Sequence, residues 1–160
     1  AMRTLNGPHK VQMGWASGAR LVDGSQGGTF TVSSLALAQA ASPQVVKVLP
    51  NSGAPYYISF RTGTGYDTST PTSYLNKLNV HRWSGSGNSR YITALGNGQS
   101  FADAATGISI LQLSSTTDSA KTTCPSASIS WTLPRAVATP GTSCSRSSPG
   151  GLASRLPSKA

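Results

Sequence analysis

The chain has 160 residues, a formal net charge of +9, only 11% charged residues and no Glu. That length supports one core of ordinary size, and the Gly-, Ser- and Thr-rich mix fits a turn-rich secreted β-protein better than a helical cytosolic enzyme. Asp23, Asp67, Asp103 and Asp118 are the whole acidic set and are widely scattered, which disfavours a paired-carboxylate site, and His9 and His81 cannot supply the His-Glu-x-x-His of a zinc peptidase helix.

The first element is a helix expected over 6–14. Asn6 can cap it, because its side-chain oxygen accepts from an orphan N–H of the first turn. Pro8 fits the first turn, and Gly14 is a stop that reaches a left-handed conformation cheaply. Leu5, Met13 and Trp15 gather on one side as the expected anchoring face, with His9 near them. Residues 20–22 read as a short strand and 23–28 as a turn cluster. Residues 29–33 alternate, with Phe30 and Val32 on one face. The stretch 35–41 has strong helix formers but also reads as the approach to a strand. Residues 44–49 and 55–61 form an expected hairpin across Pro50, Asn51, Ser52 and Gly53. Tyr56, Ile58 and Phe60 share one of its faces; Tyr57, Ser59 and Arg61 share the other. Arg61 and Asp67 read as an exposed strand-end ion pair worth about 0–1 kcal/mol, structural rather than catalytic.

Residues 77–83 alternate with Leu78 and Val80 inward, leaving His81 at a surface or interface. Strands follow at 90–95 and at 108–113, the latter apolar on both faces and so expected to be covered on both. A last short strand spans 120–124. The expected core is Phe30, Val32, Val46, Val48, Tyr56, Ile58, Phe60, Leu78, Val80, Ile92, Phe101, Ile108 and Ile110. The expected fold is mainly β: an antiparallel sandwich-like domain of about seven or eight strands behind one short helix. Beyond Pro125, residues 128–131 could start another strand. After Pro134 the chain has too little apolar surface to offset its entropy and reads as a disordered linker or tail. Its scattered Arg135, Arg146, Arg155 and Lys159 lack interleaved aromatics, so nucleic acid is a weak partner. Cys124 and Cys144 fit either a disulfide closing a loop of about 20 residues or two free thiols. No apolar run is long enough to span a membrane.

Three motifs, taken in their order and spacing, resemble gametolysin-type zinc metallopeptidases. Leu5-Asn6-Gly7-Pro8-His9-Lys10 with Gly14-Trp15 is similar to the segment that follows the family's zinc site and Met-turn. The family usually carries Ala where this chain has Gly7, and Leu where it has Met13. Tyr56-Tyr57 with Arg61, then Gly65-Tyr66-Asp67, is similar to a strand and turn of the same family. Val80-His81-Arg82, a variable loop and a short strand lead to Gly98-Gln99-Ser100-Phe101-Ala102-Asp103 and Gly107-Ile108-Ser109-Ile110, a third likeness. The resemblance covers residues 5–124.

It implies that 1–18 ends a catalytic domain, that 19–124 is the β-rich domain beyond it, and that 125–160 is a linker or tail. It implies a secreted zinc metalloendopeptidase whose zinc is held upstream. The partners would be that upstream domain of the same polypeptide and the full enzyme's protein substrate. Asn6, Pro8, His9, Gly14, Trp15, Tyr57, Arg61, Asp67, Phe101 and Asp103 match family-motif positions, with structural roles. None matches a zinc ligand or a catalytic residue, so this chain is expected to be inactive alone. The alternative is a free-standing β-sandwich module for glycan or cell-surface material, using exposed Tyr57, Tyr66, Trp83 and Tyr91, whose amphipathic rings suit such surfaces.

Overall fold

A short segment that alternates apolar and polar residues can bury its apolar face only by joining a sheet. The computed structural model describes residues 5–125, which fall within one compact unit. A helix, α1 (Gly7–Gln12), precedes β1 (Leu21–Asp23), β2 (Gly28–Ser33), β3 (Val45–Val48), β4 (Tyr56–Arg61), β5 (Lys77–Arg82), β6 (Arg90–Leu95), β7 (Ser100–Asp103), β8 (Ile108–Ser115) and β9 (Ser119–Cys124). They form a five-stranded sheet, β1-β3-β4-β5-β6, and a four-stranded sheet, β2-β9-β8-β7. Every pairing is antiparallel except β1 with β3. Among the described residues no helix is long and apolar enough to cross a membrane. The expected tail and Cys144 lie outside the described residues.

The expected hairpin is β3 and β4, with Val46 opposite Ile58 and Val48 opposite Tyr56. Val32, Val46, Ile58, Phe60, Val80 and Ile110 are fully buried in one cluster drawn from both sheets. Every expected core residue lies in that cluster or against it, Phe30, Ile92 and Phe101 being the partly buried ones. Leu95, Ala120 and Cys124 complete it. Among the described residues Cys124 has no disulfide partner, and burial pushes its thiol pKa up to about 12. The stretch 35–41 forms neither helix nor strand; Gln44 pins it, its Nε2 donating to the carbonyls of Ser34 and Leu37 at 2.8 Å each.

One expectation for β8 fails. Its outer face is uncovered, with Leu111 half-buried and Leu113 exposed. The register against β9 shifts between Gln112 and Ser114, so Leu113 is the extra residue of a bulge.

The helix also differs from its expected form. Asn6 caps it, accepting from the His9 amide at 3.0 Å, and Pro8 sits in its first turn. It ends early, at Gln12, because the chain closes there in a Schellman motif. The Trp15 amide reaches the Lys10 carbonyl at 2.8 Å and the Gly14 amide reaches Val11 at 3.1 Å, with Gly14 at φ +72°. The anchoring face is not Leu5, Met13 and Trp15, which are 37%, 58% and 57% exposed. Buried Gly7, Pro8 and Ala16, with half-buried Val11, face the sheet instead. The reason is distance: a Cβ on Gly7 would stand 3.2 Å from Ser59, so the backbone approaches closer than large side chains allow. α1 therefore lies on the outer face of β4, whose six residues are all buried.

Candidate functional site

Strand alternation turns Tyr57, Ser59 and Arg61 of β4 away from the core, and Asn79 and His81 of β5 beside them, with Tyr57 opposite His81 and Ser59 opposite Asn79. α1 covers part of this face and leaves a cleft of about 260 Å³ at its N-terminal end. Arg61, Asn79 and His81 line it from the sheet, Asn6 from the helix cap, and Thr70 and Tyr74 from the loop after β4.

Tyr91 completes the cleft through a bulge. Val80 pairs with Thr93 but His81 pairs with Tyr91, so Ile92 is an extra residue in β6. Regular alternation would put Tyr91 on the same face as Thr93 and Leu95, against the core. The bulge instead lets Ile92 pack on the core and puts Tyr91 edge-on to His81, ring centroids 5.6 Å apart. Tyr74 meets Tyr91 edge to face at 5.2 Å. Tyr91 stays 42% exposed, and desolvation, then Tyr74, raises its phenol pKa.

Of the surface or interface expected for His81, the structure rules out the open surface, since it is 7% exposed, and its Nδ1 has no hydrogen-bond partner. Burial, with Arg61 the next largest contribution and the Asn79 backbone opposing, lowers its pKa to about 4. It is a neutral imidazole at pH 7.

Arg61 and Asp67 also depart from the exposed pair expected of them. Arg61 Nη1 meets Asp67 Oδ1 at 2.7 Å, with the Asp67 side chain fully buried and Thr70 Oγ1 donating to the same oxygen at 3.3 Å. The 3₁₀ turn Gly65–Asp67 ends on the buried Asp67, which it brings to Arg61 at the end of β4. Asn79 Nδ2 donates to the carbonyls of Tyr74 and Lys77 at 3.0 and 3.1 Å, which fixes its amide. Asn6 Nδ2 donates to Ser89 Oγ at 2.8 Å, tying the helix start to the loop before β6.

The motif positions thus divide. Asn6 and Arg61 line the cleft, while Asp67 sits behind Arg61. Pro8 and Gly14 shape the helix that borders it, His9 is half-buried on that helix, and Trp15 is exposed beyond its end. Tyr57 is buried under α1, its ring tilted against that of buried Trp83 with centroids 5.8 Å apart, so two of the four rings expected at a binding surface are not there. Tyr66 and Tyr91 are exposed. Phe101 and Asp103 lie on β7, away from the cleft. Phe101 packs on Tyr56, whose hydroxyl donates to Asp103 at 2.5 Å and holds that carboxyl below its usual range. Thr70, Tyr74 and Asn79 belong to the cleft without having stood out in the sequence; the one available signal was that Asn79 shares a strand face with Arg61 and His81.

Among the described residues no three His, Cys, Asp or Glu side chains gather as a metal-binding group. His81 is hemmed in by Arg61, and no Glu exists to serve as a base, so this donor set does not fit a catalytic zinc. What the cleft can do chemically is hydrogen-bond and stack. No family model, curated protein or solved structure matches this chain.

Proposed function

We propose that this chain is the non-catalytic β-domain of a secreted zinc-dependent metalloendopeptidase, together with the last helix of its catalytic domain. The zinc, its ligands and the general base belong to the upstream part of that polypeptide, and the chain described here performs no step of peptide hydrolysis. The supporting observation is the state of α1. The stretch that resembles the family's post-Met-turn segment is sealed to the β-domain through Gly7, Pro8 and Ala16, while Leu5, Met13 and Trp15 present an uncovered apolar flank. A preceding catalytic domain is the partner that flank suits.

The deciding experiment extends the protein upstream into the same reading frame. A His-Glu-x-x-His segment should be encoded there, and the extended protein should cleave a protein substrate and lose that activity to a zinc chelator. Limited proteolysis should nick the shorter chain near residues 1–18 and spare that region in the extended one. An upstream frame without the zinc motif, or equal nicking of both proteins, would overturn the proposal.

A further inference from the structure

The cleft between α1, β5 and β6 is not used by the peptidase reading, and its chemistry points to a particular kind of ligand. Among the described residues it carries no net charge: the guanidinium of Arg61 is matched by Asp67 at 2.7 Å, and no other charged side chain of that set lines it. An anion or a cation therefore has no unmatched counter-charge to meet. A purely apolar ligand fits no better, because the cleft is lined largely by polar side chains, Asn6, Thr70, Asn79 and His81, whose water it would displace without a bond in return. What fits is a neutral molecule with several hydroxyls and one apolar C–H face. Tyr91, half-exposed and braced edge-on by Tyr74 and His81, offers the flat surface for that face. The cleft's volume of about 260 Å³ lies just under the roughly 300–1,000 Å³ of sites for drug-sized ligands, so it admits one ring rather than a chain.

We infer that this cleft binds a single neutral sugar ring, stacked on Tyr91 and hydrogen-bonded by His81, Asn79, Thr70 and Asn6. His81 stays neutral with one donor and one acceptor nitrogen, which suits a hydroxyl that both gives and takes a bond. Sugar binding here is independent of the peptidase reading, which is decided by the upstream sequence and its proteolytic activity. Either can fail while the other stands.

The test is a nitrogen-15 NMR titration of the full chain with millimolar glucose, galactose, mannose, xylose and N-acetylglucosamine, each alone. At least one should give saturable shifts at the Tyr91, Asn79 and Asn6 amides and at the His81 ring nitrogens. Tyr91→Ala should weaken that binding about tenfold, and Tyr91→Phe should hold it within about twofold. Tyr66→Ala, which removes an exposed ring outside the cleft, should leave it unchanged. The variants' dispersed amide spectra establish that they are folded. Absence of saturation by all five sugars, or saturation indifferent to Tyr91→Ala, would overturn the inference. So would saturation of the cleft by a neutral tripeptide such as Ala-Ser-Ala with none by sugar.

Discussion

On its inner face the five-stranded sheet sets Val46, Ile58, Phe60, Leu78 and Val80 against the second sheet. On the outer face the intervening residues of the same strands, Tyr57, Ser59, Arg61, Asn79 and His81, meet a six-residue helix and a loop. Both faces are buried over β4, yet they are buried by different means. The inner face gains from area and packing, insensitive to direction or pH. The outer face depends on pairings of polar groups, each of which must be matched or left at a cost. Burial alone therefore does not mark a core: the outer face is where a ligand finds directional partners.

The largest effect should come from the inner face. Phe60→Ala leaves a cavity between the sheets and should cost about 3–5 kcal/mol in urea unfolding; a cost under about 1 kcal/mol would mean that the two sheets do not share one packed core. Asp67→Asn tests the outer face at its strongest pairing. It leaves the buried Arg61 without its counter-charge and should cost about 3 kcal/mol, well above the figure for an exposed pair.

The pH dependence separates the faces further. His81 has a folded pKa lowered to about 4, so the unfolded chain binds its proton first as pH falls below the ordinary value of 6.5. Stability is then complete above about pH 7 and falls by about 2–3 kcal/mol between there and pH 4. His81→Gln should flatten this slope, because it removes the buried imidazole whose protonation the fold opposes. The carboxylates Asp23 and Asp103, whose pKa values are lowered, add their own loss only at lower pH. Trp15→Ala should have the smallest effect, under about 1 kcal/mol, because its ring is already more than half exposed. A loss of 3 kcal/mol would restore Trp15 to the anchoring face.

How far the sequence carried depends on which face is asked about. Period-two alternation locates Ile58, Phe60, Leu78 and Val80 directly, because a residue's parity is its face. The helix cap at Asn6 and the stop at Gly14 were equally legible, since each rests on local backbone chemistry. The helix's docking side was not. Apolar bulk pointed to Leu5, Met13 and Trp15, whereas contact is made by Gly7, whose lack of a side chain is what permits it. Tyr91 was legible as an exposed ring, but its place beside His81 was not, because one extra residue, Ile92, shifts the register that decides which residue of β5 it meets. The burial of Arg61 and Asp67 was invisible because a loop, not a strand, covers them. These misses belong to the outer face of the five-stranded sheet, where a local exception to the repeating pattern decides which groups meet; the uncovered face of β8, with its bulge at Leu113, is a further miss on the other sheet.

The pairing of β2 with β9 bears on how the chain is made. Thr29 and Thr123, whose hydroxyls meet across these strands, are 94 positions apart. As the polypeptide leaves the ribosome, β2 must wait for almost the whole domain before its partner exists, and Val32 has no finished layer to enter until then. The β3–β4–β5–β6 meander can form earlier, since each of its pairings joins consecutive strands. Closure of so long a loop places folding toward the slow, millisecond-to-second end for β-rich domains. A nascent chain stopped before Ser119 would hold one sheet assembled and the other open, with an unpaired strand offered to whatever molecule is nearest.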